Sequence, residues 1–338
     1  MNRFTALTEQ AHEKKNNRTG ILITNLGTPD EPDTASVRRY LREFLSDPRV
    51  VEIPRLIWLL ILHGIILRLR PAKSARLYKS IWTAAGSPLM AIGKRQRERL
   101  EQSLRDSGQR DFELRLAMRY GSPPIRAALQ AFQQQGIHRV VVLPLYPQYA
   151  GPTTGSTFDV LADELQHWRW VPELHFINSY HDHPLYIEAL ANTIRKHFTE
   201  HGKPQKLVLS YHGMPKRNLM LGDPYHCQCQ KTSRLVVELL GLGEDEYITT
   251  FQSRFGKAEW LQPYTDATLT SLPGQGVKDV AIISPAFSAD CLETLEELDR
   301  ENRKIFVDAG GEQYRYIPCL NDNDDHIRLM AALVQPYL

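Results

Sequence analysis

Short apolar runs broken by glycine and proline recur along the chain, and they predict strands that end abruptly in turns. Ile21-Leu22-Ile23-Thr24-Asn25 closes in Leu26-Gly27-Thr28-Pro29-Asp30, and Leu207-Val208-Leu209 closes in Ser210-Tyr211-His212-Gly213-Met214-Pro215. Such runs are too short and too apolar for an amphipathic helix, so each reads as a buried strand that delivers its last side chains into a loop. Leu114–Met118, Val140–Leu143 and Val280–Ile283 fit the same pattern. Helical spacing intervenes. Val37, Tyr40, Leu41, Phe44 and Leu45 predict a helix from about Thr34 that stops at Ser46-Asp47-Pro48, a second runs from the Gly86-Ser87-Pro88-Leu89 loop through Leu104, and Leu292, Leu295 and Leu298 mark a third. Strands alternating with helices predict an α/β fold with parallel sheets and helices on both faces.

The segment from Ile53 to Pro71 departs from this grammar. It is apolar over most of its length, holds Trp58, and carries Arg55, Arg68 and Arg70 with prolines at its margins. Its uninterrupted apolar stretches fall short of the roughly 20 residues that a bilayer span needs. Two readings stand side by side: a buried core helix, and an apolar lip over residues 53–70 that touches a greasy ligand or a membrane surface.

The second half repeats the first. Ile21–Pro29 lies over Leu207–Pro215 at an offset of 207 − 21 = 186, Arg119-Tyr120-Gly121 matches Arg254-Phe255-Gly256 at 254 − 119 = 135, and Gly136-Ile137 matches Gly276-Val277 at 276 − 136 = 140. Two similar Rossmann-like halves facing a central cleft follow, with an insertion of 186 − 135 = 51 residues in the first copy that contains the apolar segment.

At 338 residues the chain fits two α/β domains, and Lys+Arg 41 against Asp+Glu 39 leaves a net charge of +2, so no global field recruits nucleic acid. Cys227, Cys229, Cys291 and Cys319 are too uneven for a disulfide framework, which favours a reducing compartment. Met1 to Thr19 is polar, reads as a frayed leader, and predicts a cytoplasmic protein. Cys227-Gln228-Cys229 resembles half of a metal or iron–sulfur site, but the spacing lacks a second paired motif and ordinary reduced thiols are the better reading.

Candidate chemistry gathers at strand ends. His212 sits just past a strand's carboxyl end, the edge where open α/β sheets bind ligands, so it is either a loop histidine or a base or metal ligand. The first copy has Leu26 at that position, so the turn itself does not require an imidazole. Asp290 and Glu293 have capping-box spacing at a helix start, and Glu297 follows one turn on. If the repeat holds, these acids open on the same edge as His212. An imidazole facing carboxylates suits proton removal and the handling of a divalent cation. Gly151-Pro152-Thr153-Thr154-Gly155-Ser156-Thr157 is a turn that holds an anion or simply caps a helix. No G-x-S-x-G, H-E-x-x-H or G-x-x-x-x-G-K motif occurs.

The blocks L-S-Y-H-G-M-P, F-Q-S-R-F-G-K-A-E-W-L, L-Y-P-Q-Y followed by T-T-G-S, and Ser288–Leu295, which stand along the chain in the family's order within a match from Thr19 to the last helix, resemble the ferrochelatases, most closely the proteobacterial form. The resemblance implies a lyase-type chelatase that inserts Fe²⁺ into protoporphyrin IX, the last step of haem synthesis, in the cytoplasm or at the inner face of the membrane. It implies a chelatase-like fold with a first domain over residues 18–175 plus 324–338 and a second over 176–323. His212 and Glu293 fall on the family's metal pair, and Asp290 and Glu297 on acidic positions beside it. Arg119, Tyr120, Tyr146, Trp260 and Leu26 fall on positions lining the porphyrin cleft. Cys291 departs from members that have histidine there, and the cysteine-rich extension of animal enzymes is missing, so no cofactor beyond the Fe²⁺ substrate is expected and a [2Fe–2S] cluster is not. Alternatives from other classes are a non-catalytic porphyrin or haem carrier, and a sibling chelatase acting on another metal or on another tetrapyrrole such as coproporphyrin III.

Overall fold

The computed structural model describes residues 4, 16–256 and 258–338. Most of the expected leader therefore lies outside the described residues. Asn16–Thr19 belong to the first strand, where Arg18 bonds the Glu113 carboxylate at 2.8 Å.

The chain divides into two compact units: the chain up to Leu145 with Gly151–Asn178 and Ile327–Leu338, and Tyr146–Ala150 with Ser179–His326. Unit one holds strands β1 (Asn16–Thr28), β2 (Phe112–Gly121), β3 (Ile137–Pro144) and β4 (Glu173–Phe176), all parallel, in the order β2-β1-β3-β4. Leu22, Ala117, Val140 and Val142 meet Leu129 and Phe132 of the Ile125–Gln134 helix and Leu161 of the Ser156–Leu165 helix. Strand side chains alternate, so Leu116 and Met118 point the other way. There they pack against Gly93 of the helix Pro88–Asp106. Both sheet faces are thus covered, as a parallel sheet requires.

Unit two repeats the plan with β5 (Lys206–His212), β6 (Tyr247–Gln252), β7 (Asp279–Ile283) and β8 (Gln313–Tyr316), in the order β6-β5-β7-β8. Val208, Val280 and Ile282 pack on Leu269, Leu298 and Phe306. Tyr211, on the opposite face, shares a 3.0 Å hydrogen bond with Ser233 of the helix Tyr225–Leu240.

The strand registers correct the sequence repeat at one block. Ile21 pairs with Leu114 and Leu207 with Tyr247, so β2 and β6 correspond at an offset of 247 − 114 = 133. Arg119-Tyr120-Gly121 against Arg254-Phe255-Gly256 is a slip of two residues, which keeps every side chain on its proper face and so escapes a pattern search. Arg119 corresponds to Gln252 and Tyr120 to Ser253. The first copy's insertion is 186 − 133 = 53 residues. The second copy gains 140 − 133 = 7 before Pro263, in the loop that carries Trp260, because Met118 bonds the carbonyl of Pro123 as Phe251 bonds that of Pro263.

The apolar segment is buried on one side and exposed on the other. Arg55–Ile61 is α-helical, Leu62–Ile66 is a π turn, and Leu67–Ile81 continues as a helix through Pro71, which does not end it. Trp58, Leu62 and Leu67 are buried against Leu45, and the Trp58 indole donates to the Leu45 carbonyl at 2.6 Å. Leu56, Leu60 and Leu69 are 82%, 77% and 71% exposed, so an apolar stripe faces outward. Among the described residues no helix is long and apolar enough to cross a membrane.

Candidate functional site

His212 is the last residue of β5, paired with Gln252 of β6. The turn beyond it needs Gly213: a Cβ there would lie 2.6 Å from the Gln252 carbonyl oxygen and 3.1 Å from the Trp260 ring. The Gly213 N–H donates to that same oxygen at 2.7 Å, which fixes the strand end. His212 Nδ1 lies 2.7 Å from the Gly213 carbonyl. A carbonyl only accepts, so Nδ1 carries the proton and the Nε2 lone pair remains for a proton or a metal. The half-buried ring has Phe287 beside it, with centroids 6.4 Å apart.

The acids come from the segment after β7. Glu293–Glu301 is a π-helix rather than the α-helix expected from Leu292, Leu295 and Leu298, and of those three only Leu298 is fully buried. A π coil closes i→i+5 and is a recurrent feature of functional sites. Gln252 Nε2 holds its first turn by donating to the Glu293 carbonyl at 3.0 Å. Burial pushes the Glu297 carboxyl above the usual carboxylate range; the Ser253 hydroxyl at 2.5 Å and the His212 imidazole pull against that rise, and the Glu293 carboxylate adds to it. His212 and Glu293 are therefore both near enough to Glu297 to act on its carboxyl. Among the described residues, no group of three or more His, Cys, Asp or Glu side chains is arranged to hold a metal ion.

Asp290 does something different. Its carboxylate accepts from Tyr316 (2.5 Å), Asn321 (2.7 Å), Cys319 N–H (3.2 Å) and Thr294 (3.2 Å). These partners tie the loop after β7 to the loop after β8 in place of a capping box. Cys291 and Cys319 lie in these loops, and burial pushes both thiols up. Cys229 is buried and Cys227 is exposed.

In unit one the structure commits Arg119 and Tyr120 to a partner that the sequence did not reveal. Arg119 pairs with buried Asp47 at 2.5 Å, donates to Ser156 and stacks over the Tyr120 ring; Tyr120 donates to Asp47 at 2.8 Å. Burial would raise the Asp47 carboxyl, but the Ser156 hydroxyl, the Arg49 N–H, Tyr120 and Arg119 together hold it below the usual range. Asp47 looks in sequence like a helix stop before a proline, and Ser156 like a cap. Neither spacing announces a buried ion pair. Leu26, the Tyr146 ring and Trp260 are half-buried, and the Trp260 indole donates to Phe255 at 2.8 Å. A cavity of about 540 Å³ beside Thr28 and Gly121 is lined by Arg39, Arg42 and His63.

Comparison with known proteins follows the same lines. The ferrochelatase family profile matches residues 18–338. "Ferrochelatase 2" of Shewanella oneidensis is 65% identical over 95% of this chain and 98% of its own length, and the ferrochelatase of Shewanella denitrificans is 61% identical over 96% and 99%. In fold, the chain is similar to SirB from Bacillus subtilis with Fe³⁺, with a TM-score of 0.56 at 12% identity over 95% of each chain.

Proposed function

The chain belongs to the ferrochelatase family, and from that membership we propose how its own residues carry the reaction. The enzyme is a lyase-type metal chelatase that inserts Fe²⁺ into protoporphyrin IX to make protohaem. Insertion replaces two pyrrole protons with one dication, so the site needs a proton acceptor beside the macrocycle and negative charge where the metal arrives. His212 Nε2, left with its lone pair by the Nδ1 bond, accepts a pyrrole proton or ligates the incoming iron together with Glu293. Glu297, whose burial favours its protonated form, takes protons from the imidazole. The arriving cation favours the ionised acids and so drives the proton outward.

Arg119 is neutralised by Asp47 and serves as a positioning residue. Arg42, exposed at the cavity beside Thr28, supplies the positive charge for a propionate. Tyr146 and Trp260, in the unit that carries His212, offer half-buried apolar surface to the ring. The exposed stripe of Leu56, Leu60 and Leu69 rests on a membrane surface, which makes the enzyme a cytoplasmic protein peripheral to the bilayer.

The observation that carries the mechanism is that Gln252, paired with His212 across β5 and β6, holds the Glu293 carbonyl at 3.0 Å while the adjacent Ser253 donates to Glu297. A non-catalytic carrier would need the greasy surface but not this histidine with its two acids. An anaerobic absorbance assay with Fe²⁺ and protoporphyrin IX, with coproporphyrin III in parallel, tests the reading: conversion of protoporphyrin is expected, and no spectral change with either porphyrin would overturn it.

A further inference from the structure

His197 and His201 lie one turn apart near the carboxyl end of the helix Pro184–His201, and their ring centres are 4.5 Å apart with the planes tilted by 53°. Two imidazoles on a common metal each sit with the nitrogen about 2.1 Å from the ion, hence the ring centre about 3.2 Å from it. Two such rings in adjacent coordination positions have centres about 4.5 Å apart, the separation found here. His197 Nε2 is buried and has no hydrogen-bond partner, so one ring nitrogen on this face is unsatisfied by the protein. The His201 side chain is 52% exposed and is free to turn towards it.

The surroundings carry both signs of charge. Glu200 lies 4.0 Å from His201 Nε2 and also 4.0 Å from Lys196. Arg315 donates from Nη1 to the carbonyls of His201 and Gly202, but its other arm is ion-paired with Asp279. Burial, His201 and Arg315 all push the His197 imidazole below its usual range, with Glu200 opposing, so the ring is neutral at neutral pH and its lone pair is available. The end of a helix also favours a cation.

We propose that His197 and His201 form a two-histidine site for a borderline divalent transition metal such as Ni²⁺ or Cu²⁺, completed by water and separate from the residues that handle iron. Imidazole pairs prefer these ions in the Irving–Williams order, and with two protein ligands the site exchanges its metal readily.

Titration of the full chain with Ni²⁺ by calorimetry, in the absence of porphyrin, tests it. One equivalent is expected to vanish, or to weaken at least tenfold, in H197Q/H201Q and to persist in His212→Ala. An unchanged far-UV spectrum and normal iron insertion in H197Q/H201Q show that the fold is intact. The same number of equivalents bound at the same affinity by H197Q/H201Q, or no Ni²⁺ bound by the parent chain, would overturn the proposal.

Discussion

Ser253 donates its hydroxyl to Glu297 Oε2 at 2.5 Å from a left-handed backbone position, φ 64°, that a serine seldom adopts. Holding a non-glycine residue there costs on the order of 1 kcal/mol or more, so the surrounding structure over-determines it. The hydroxyl favours the ionised form of Glu297 against burial. Ser253→Ala is expected to raise the Glu297 pKa further and to move the acidic limb of the kcat–pH profile to higher pH. A loss of roughly tenfold in kcat at neutral pH corresponds to one charge-assisted hydrogen bond. Ser253→Gly, which relieves the backbone and also lacks the hydroxyl, should show the same profile with stability at or above the parent's. An unmoved limb in both variants would separate Ser253 from the proton path.

Arg119 and Asp47 form a buried pair, with side chains 13% and 4% exposed. Breaking such a pair by removing one partner costs about 3–5 kcal/mol, whereas replacing both with apolar groups of similar size is nearly neutral. Asp47→Ala should therefore lower Tm sharply, and the double variant Arg119→Met/Asp47→Leu should recover most of the loss. The depressed Asp47 pKa means that the pair's stabilisation is present above the ordinary carboxylate range and is lost as pH falls through the lower folded value. Acid unfolding below about pH 4 should consequently be steeper in the parent than in the double variant.

Burial pushes the His326 imidazole down to about 4 from its ordinary 6.5, and its Nδ1–H donates to the Asn321 carbonyl at 2.6 Å. Here the unfolded chain takes up the proton first. Stability should fall as pH drops from about 6.5 to about 4, by roughly 3 kcal/mol from this group. Replacing it as His326→Gln should flatten that part of the Tm–pH curve, which differential scanning calorimetry at stepped pH would measure.

The two sides of the apolar segment should separate by mutation. Leu56→Asp/Leu60→Asp alters residues that are 82% and 77% exposed, so Tm should hold while sedimentation with anionic vesicles falls severalfold. Trp58→Ala empties a buried site and should cost about 3–5 kcal/mol.

How much of this was readable in advance differs from element to element. His212 was legible because a short apolar run followed by His-Gly-Met-Pro has few readings other than a strand ending in a turn, and Gly213 is indeed required there by the Gln252 carbonyl. The repeat was legible at its first and third strands. It slipped at the second because a shift of two preserves the inward and outward alternation. The Arg119–Asp47 pair spans 72 positions and leaves no local pattern. The π coil at Glu293–Glu301 was hidden because its leucines also fit an α period, and Asp290 had cap spacing while its carboxylate is spent on Tyr316, Asn321, Cys319 and Thr294.

The role proposed for His212 is to act on the pyrrole protons or the iron, beyond holding its loop. Anaerobic single-turnover insertion by His212→Ala, with porphyrin binding followed by fluorescence quenching in the same samples, tests this most directly. Insertion is expected to fall by at least about 10³-fold, as for loss of a general base with its metal contact, while porphyrin affinity changes less than about threefold. Insertion at the parent rate by a variant that binds porphyrin normally would contradict it.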